Sequence, residues 1–407
     1  MTTEPVRVRR VLAHRDFRGL AAGRALMYFG NGLATVGLTF AVLDLSGSLV
    51  DLGVVLGARS VALVVFALAG GVLADRLPRQ AVLQGACALA ALSQAAIAAG
   101  VLSGAASVPL LAGLSLVNGA VSAVGLPAAV SLIPRTVPAA LLRPANAVAR
   151  MGMMLGMAVG MSVGGGAVGL AGPAWTLAGG AAVFAAAGLA FATVRVVVPP
   201  RTARTHPLRD LAEGWGEFAS RPWVWSVVLQ FMVVNAVIAG GVKVLGAGVA
   251  DETIGRGLWG VVLGAETAGA LVGGVLAARR QPRRALLFGV ALTAVDALPL
   301  LTLGYAPSVP FLLPALFLTG VALEQFGVAW EVSLQQNIPP DRLARVYSYD
   351  ALGSFVALPI GETLAGPLAA LLGTRTTLTG GAALILLATL AVLASRGVRT
   401  LEVRPDG

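Results

Sequence analysis

Twelve apolar stretches of helix length follow one another along this chain of 407 residues, and they restrict it to few folds. Each stretch is long enough to cross a bilayer core, which requires a helix of about 20 apolar residues. The composition agrees: 57% of the residues are hydrophobic and 12% are charged, whereas soluble domains contain about 25% charged residues. We therefore predict an all-α membrane protein with twelve transmembrane helices. The predicted spans, numbered 1 to 12 in chain order, are 17–43, 49–74, 81–102, 108–133, 146–171, 174–195, 223–250, 258–278, 285–305, 309–333, 346–372 and 376–396.

The polar segment 196–222, rich in proline and arginine, divides the spans into two sets of six. Each set is predicted to form its own helix bundle, an N-terminal one at 17–195 and a C-terminal one at 223–396. Segment 1–16 is predicted to be a cytoplasmic N-terminal segment, and 397–407 a cytoplasmic tail. The polar segment itself is then a cytoplasmic linker.

The formal net charge of +10 raises the question of a nucleic-acid partner, which the positions of the arginines decide. The arginines gather before span 1, after spans 2, 4, 8 and 10, in the linker and at the C-terminus. The opposite loops hold only Arg256 and Arg375. This is the positive-inside pattern, which places both termini and the linker in the cytoplasm. We expect a multi-pass protein of the cell membrane, in contact with the lipid bilayer and not with nucleic acid.

The two halves of the chain repeat one another. Gly70–Ala74 at the end of span 2 recurs 203 residues later as Gly273–Ala277 at the end of span 8. A second correspondence, at 201 residues, links small residues of span 5 with those of span 11. Because each copy holds an even number of helices, we predict parallel repeats related by an axis along the membrane normal. The matched positions on spans 5 and 11 are Gly152 and Gly353, Gly156 and Ala357, Gly160 and Gly361, and Gly164 and Ala365.

The loop after span 2 reads Gly71-x-x-x-Asp75-Arg76-x-x-Arg79. Four further segments stand out beside it: His14–Leu20, Leu142–Asn146, Leu334–Pro339 and Arg345–Asp350. The loop resembles the signature of the major facilitator superfamily, and the other segments resemble its drug-efflux branch, above all macrolide-type and siderophore-type exporters. The resemblance covers nearly the whole chain. It implies a secondary transporter that works by alternating access between two six-helix bundles.

The same resemblance implies a cytoplasmic gate at Gly71, Asp75, Arg76 and Arg79. A carboxylate at a helix end can pair with neighbouring cations or with the positive N-terminus of another helix. Such a contact would hold the cytoplasmic side shut and break when the transporter inverts. The alternative is an ordinary solvated loop whose charges only set topology.

Span 1 carries a polar stripe whose spacing places its members on one helix face: Arg24, Tyr28, Asn31, Thr35 and Thr39. A polar face within a membrane must contact protein or water. The resemblance implies that spans 1 and 4 line the central cavity, so the stripe and Asn118 on span 4 are candidate substrate contacts. The alternative, favoured for the threonines, is interhelical hydrogen bonding at about 0.6 kcal/mol per bond.

Span 5 adds a soft apolar face formed by Met154, Met157 and Met161. Methionine adapts to varied apolar ligands, which makes this face a candidate substrate contact, although methionine is also a common gap filler. Met161 stands where many antiporters of the family carry proline, so the resemblance supports efflux more strongly than proton coupling. Arg59 near the middle of span 2 is a further cavity candidate, because a charge at the bilayer centre costs at least about 2.5 kcal/mol.

Carboxylates inside the spans are candidates for proton coupling. Glu266 lies near the middle of span 8, and Glu324 and Glu331 share one face of span 10. Burial disfavours the charged form, so such groups can bind and release protons. The alternative is a static buried ion pair with a basic side chain. Asp296 on span 9 receives no role, because that helix is peripheral in the fold that the resemblance implies.

Enzymatic chemistry has no support in the sequence. The only lysine is Lys243, which excludes a phosphate-binding Gly-Lys-Ser/Thr loop, and no cysteine–histidine cluster is present. We predict no cofactor and no metal site. The predicted function is export of a hydrophobic or amphipathic small molecule, antibiotic-like or siderophore-like, by a monomeric proton antiporter of the multidrug-resistance type. The alternatives are an importer or facilitator of the same fold, and a non-transporting membrane sensor or scaffold.

Overall fold

In the computed structural model of the protein, residues 4–74, 79–195, 215–216, 218–279 and 282–402 are described. Within these residues, twelve helices are long and apolar enough to cross a membrane, which confirms the predicted fold class. The spans as they are observed run Arg15–Ser46, Leu49–Ala74, Arg79–Ser103, Val108–Thr136, Leu142–Ala171, Pro173–Ala192, Pro222–Glu252, Arg256–Arg279, Ala285–Tyr305, Val309–Asn337, Pro340–Leu372 and Thr374–Ala394. Short helices lie at Glu4–Ala13, Ala139–Leu141 and Arg396–Thr400.

The internal repeat reappears in the turns that connect the spans. Gly172 joins spans 5 and 6, and Gly373 joins spans 11 and 12, 201 positions further on. Their φ angles are 86° and 85°, a region that residues with a Cβ enter only with strain. The Gly172 amide donates to the Val168 carbonyl oxygen at 3.0 Å, and the Gly373 amide donates to the Ala369 carbonyl oxygen at 2.9 Å. Corresponding glycines therefore make the same turn in both halves.

The described residues form two compact units. The first contains Met1–Thr202 and also Gly255–Gly264, the beginning of span 8. Its buried core includes Phe17, Phe184 and Phe191. Within this unit, the first turn of span 8 is fixed to the end of span 1 by an ion pair of 2.6 Å between Arg256 Nη1 and Asp44 Oδ1.

The second unit contains Ala203–Ile254 and Ala265–Gly407. Its core is aromatic near the ends of spans 7 and 10. The rings of Phe231 and Phe326 stack with centroids 4.1 Å apart, and the ring of Trp330 meets that of Trp223 edge to face at 5.7 Å. The four rings pack span 7 against span 10.

Two spans that the sequence predicts as continuous α-helices are interrupted. Span 7 contains a π-helix at Ala239–Leu245, and span 9 contains a 3₁₀ turn at Thr293–Asp296. π-Helical turns are rare and occur frequently at functional sites. Gly240, at the start of the π-helix, packs so closely on span 11 that a Cβ there would lie 2.5 Å from the carbonyl oxygen of Gly361. The interruptions place Lys243 and Asp296 in irregular backbone within the membrane region.

Candidate functional site

In the first unit, the predicted polar residues of spans 1 and 2 meet. Arg59 Nη2 donates a hydrogen bond of 3.0 Å to Asn31 Oδ1. Gly119 of span 4 packs on the same residue, since a Cβ there would overlap the carbonyl oxygen of Arg59. Asn118 lies beside this crossing; it is 3% exposed, and its Oδ1 accepts no hydrogen bond from the described residues. Polar side chains of spans 1 and 2 thus meet at Arg59, next to the crossing of span 2 with span 4.

Arg24 lies two turns before Asn31 on span 1 and is only 6% exposed. Its Nη2 is 3.9 Å from Met153 Sδ, a weak acceptor, and its Nε has no hydrogen-bond partner in the described part of the chain. Tyr28, half-buried, lies one turn away and interacts electrostatically with Arg24. A buried guanidinium that is incompletely hydrogen-bonded is costly, and it is chemically suited to receive an anionic or oxygen-rich ligand.

The threonines of span 1 are occupied within their own helix. The Thr35 hydroxyl donates to the Asn31 carbonyl at 2.8 Å, and the Thr39 hydroxyl donates to the Thr35 carbonyl at 2.8 Å. The sequence-based alternative of interhelical hydrogen bonds is therefore wrong for the hydroxyl protons of these two residues. Thr35 remains half-buried.

Spans 1 and 5 cross with their backbones in contact. A Cβ on Gly156 or Gly160 would overlap the carbonyl oxygen of Ala25 or Phe29, respectively. The glycines of span 5 thus permit a close approach of the two helices. The side chains of Met154, Met157 and Met161 on span 5 are half-buried, as a face open to a ligand requires.

The second unit repeats the span 2–span 4 crossing in spans 8 and 10. Gly320, 201 positions after Gly119, packs on the carbonyl oxygen of Glu266 as Gly119 packs on that of Arg59. The two crossings thus place the backbone of a cationic residue on span 2 and of a carboxylate residue on span 8 against a glycine of the neighbouring helix. Glu266 interacts electrostatically with Lys243 of the π-helix.

Glu324 lies against the second copy of the repeated Gly-Gly pair. A Cβ on Gly274 would be 3.5 Å from Glu324 Cγ, and the neighbouring Gln325 Nε2 donates to the Gly273 carbonyl at 3.1 Å. Glu331 is exposed and accepts a hydrogen bond of 3.2 Å from Gln335 Nε2. The two carboxylates, which share a face in sequence, therefore lie in different surroundings.

The predicted cytoplasmic gate falls mostly outside the described residues. This applies to Asp75 and Arg76, and to the surroundings of Gly71. Arg79 is described; it begins span 3 and is half-buried. The gate remains a prediction.

The sequence did not predict the burial of the Asp296 side chain. The side chain is 3% exposed and its Oδ1 has no hydrogen-bond partner among the described residues. The only signal in the sequence was a carboxylate within an apolar span. In the same part of span 9, Gln230 Nε2 donates to Thr293 Oγ1 at 2.7 Å and to Thr389 Oγ1 at 3.0 Å. This buried network joins spans 7, 9 and 12.

The described residues contain no cluster of three or more histidine, cysteine, aspartate or glutamate side chains that could hold a metal ion. The polar groups of both units are instead single charges and amides within apolar helices. This chemistry suits recognition of a ligand or a proton.

Comparisons with known proteins bear on the fold and the family of the chain. The family pattern described as Major Facilitator Superfamily matches residues 20–362. The chain is 26% identical to "Enterobactin exporter EntS" of Shigella dysenteriae serotype 1 (strain Sd197), covering 88% of this chain and 86% of that protein, and equally similar to its counterpart in Escherichia coli O1:K1 / APEC.

Solved transporter structures share the fold. The nucleoside transporter NupG has a TM-score of 0.74 at 14% identity, covering 95% of this chain and 99% of that chain. A bacterial homolog of the human lysosomal transporter Spinster, inward-facing and unoccupied, has a TM-score of 0.73 at 17% identity. The match covers 95% of this chain and 97% of that chain. With twelve membrane-crossing helices in two repeated units and a family match over most of its length, the chain belongs to the Major Facilitator Superfamily and is a multi-pass membrane transporter.

Proposed function

We propose that this transporter exports a siderophore-like amphipathic molecule with acidic or oxygen-rich groups, by alternating access between its two bundles and in exchange for protons. The observation that carries the proposal is Arg24, a buried guanidinium whose Nε has no hydrogen-bond partner in the described residues. A ligand oxygen would supply the missing acceptor in an environment that strengthens a charged hydrogen bond.

The apolar part of such a substrate has a matching surface. Met154 and Met157, half-buried on span 5, follow Met153, which already contacts Arg24. Methionine side chains adjust to irregular apolar shapes. A cationic group beside a soft apolar face therefore fits a molecule with an acidic head and an apolar body.

The similarity to the enterobactin exporters supports the direction of transport and the substrate class. The arginine-rich loops support an orientation with both termini and the linker in the cytoplasm of the cell. In this orientation, Asp75, Arg76 and Arg79 form the proposed cytoplasmic gate.

A binding experiment tests the substrate class. A ligand that binds only the folded state raises its apparent thermal stability, so enterobactin should raise the melting temperature of the purified protein. Arg24→Gln removes the charge, and because hydrogen bonds to charged groups contribute about 1.5–3 kcal/mol, affinity should fall by about tenfold or more. Arg143→Gln, at the exposed start of span 5, is the matched control and should bind normally. Equal affinity in the two variants would contradict the role of Arg24.

A further inference from the structure

The N-terminal helix Glu4–Ala13 has no part in the proposed transport cycle. It ends one residue before span 1, because His14 takes an extended conformation, with φ −76° and ψ 116°, between the two helices. The short helix therefore does not continue the axis of the span. A helix that stops and turns at the beginning of the first span lies at the boundary between the membrane and the solvent.

Val11 fixes this short helix to the first unit. Its side chain is fully buried in the same core cluster as Phe17, Ala145 and Val194. These three residues lie at the beginning of span 1, at the beginning of span 5 and just after span 6. The short helix also packs on span 5. It thus lies against the ends of these three spans and does not extend freely into the solvent.

The side of the short helix that faces away from the core is basic. At about 100° per residue, Arg9 lies on the opposite side of the helix from Val11. Exposed arginines continue from this helix onto the adjoining span ends, and we call the set the basic surface: Arg9, Arg10, Arg15, Arg18 and Arg195. Within the described part of the chain, none of these five side chains forms an ion pair. Their charges are therefore available to an anionic partner.

Asp16, the acidic side chain beside the basic surface, is bound to backbone. Its Oδ1 accepts a hydrogen bond of 3.1 Å from the Arg195 amide, and it lies in the first turn of span 1, where the helix dipole favours a negative charge. Gly19, one turn further on, packs on the same chain segment, since a Cβ there would lie 3.3 Å from Val194 Cγ2. These contacts bring Arg195 to the same end of the bundle as Arg15 and Arg18.

Leu12 gives the short helix an apolar flank next to its basic side. It follows Val11 in the helix, and its side chain is 39% exposed. Helices with exposed apolar residues on one side and arginines on the other typically lie between the headgroups and the acyl chains of a leaflet. The planar guanidinium group of arginine can donate two parallel hydrogen bonds to one phosphate group. The combination matches a phospholipid whose headgroup carries a net negative charge.

We propose that the basic surface binds the headgroups of anionic phospholipids in the cytoplasmic leaflet, with Leu12 at the acyl-chain boundary. Bound lipid holds the short helix, and with it the beginning of span 1, at the leaflet. The leaflet follows from the proposed orientation of the chain. The proposal does not depend on the transported substrate, and it stands if enterobactin is not transported.

Thermal unfolding of the purified full-length protein in a neutral detergent measures this binding, because a lipid that binds the folded state raises its melting temperature. Short-chain phosphatidylglycerol should raise the melting temperature of the wild type in a saturable way, and phosphatidylcholine of the same chain length should not. Each basic residue near an anionic surface contributes about fivefold in affinity. The double variant Arg9→Gln/Arg10→Gln should therefore need about 25-fold more phosphatidylglycerol for the same shift.

The other end of the chain supplies the matched control. Arg396→Gln/Arg399→Gln removes the same charge from exposed positions of the short helix Arg396–Thr400 and should respond to phosphatidylglycerol as the wild type does. Equal shifts with the two lipids, or an equal loss in the two double variants, would overturn the proposal. The same shift with inorganic phosphate would identify a site for free anions and overturn it too.

A second measurement tests contact with the leaflet without relying on stability. Leu12→Cys, labelled with an environment-sensitive fluorophore, is reconstituted in nanodiscs of phosphatidylglycerol and phosphatidylcholine; the native Cys87 is 1% exposed and does not compete for the label. Nitroxide-labelled phosphatidylglycerol should quench the fluorophore more strongly than the same content of nitroxide-labelled phosphatidylcholine. Equal quenching by the two lipids, or no quenching, would contradict binding of anionic lipid at this helix.

Discussion

Substitution of Gly119 by alanine tests the most constrained contact of the first unit. A Cβ at this position would overlap the backbone carbonyl oxygen of Arg59, which a side-chain rotation cannot relieve. Spans 2 and 4 must separate, which disturbs the hydrogen bond between Arg59 and Asn31. Overpacking of a tight contact costs about 1–3 kcal/mol. The better helix propensity of alanine offsets about 0.8–1.0 kcal/mol of that cost, so Gly119→Ala should lower the free energy of unfolding by up to about 2 kcal/mol.

The same helix supplies a matched control. No described atom lies within 4 Å of a Cβ placed on Gly113. Gly113→Ala therefore adds only the better helix propensity of alanine, about 0.8–1.0 kcal/mol in favour of the folded state. The propensity gain is common to the two variants, so their free energies of unfolding should differ by the overpacking cost alone, about 1–3 kcal/mol.

Equilibrium unfolding of the purified variants in mixed micelles, followed by tryptophan fluorescence, gives these free energies. The internal repeat provides a second copy of the experiment: Gly320→Ala should behave like Gly119→Ala because it meets the carbonyl oxygen of Glu266. Equal stability of the Gly119 and Gly113 variants would refute the close crossing and the correspondence between the units that is drawn from it.

Three further predictions concern orientation, gating and coupling. Cysteines introduced at Ser46 and Ser103 should react with an impermeant thiol reagent outside intact cells and one at Thr202 should not; labelling of the last from outside would reverse the topology. Asp75→Asn should slow enterobactin efflux at normal protein abundance, because it removes the gating charge and keeps the shape; unchanged flux would exclude Asp75 from the gate. Glu324→Gln should lose accumulation driven by a pH difference and retain exchange of labelled for unlabelled substrate, because it removes a candidate proton-binding carboxylate; unchanged accumulation would exclude Glu324 from coupling.

The spans could be predicted from the sequence because a continuous apolar run of this length has few stable alternatives in a membrane. The interruptions at Ala239–Leu245 and Thr293–Asp296 could not be predicted, since side-chain periodicity does not distinguish α-helical from π or 3₁₀ backbone over one turn. The sequence shows a glycine at position 240, but it does not show that this residue packs closely on span 11, because that contact depends on tertiary packing.

For the candidate site, sequence spacing predicted the common face of Arg24 and Asn31 on span 1. It could not pair Asn31 with Arg59, because that contact joins two helices whose relative rotation is set by tertiary packing. The burial of Asp296 could not be predicted for the same reason. Its position in a span was evident, whereas its burial depends on which side of span 9 meets the neighbouring helices.

Enterobactin uptake into inside-out membrane vesicles tests proton-coupled export most directly. In these vesicles the cytoplasmic face is outward, so an antiporter takes substrate into the lumen while protons leave it. We expect accumulation when the lumen is more acidic than the medium, and collapse of accumulation when a protonophore removes the pH difference. Uptake that is indifferent to the pH difference, or accumulation only when the lumen is more alkaline, would contradict proton-coupled export by this transporter.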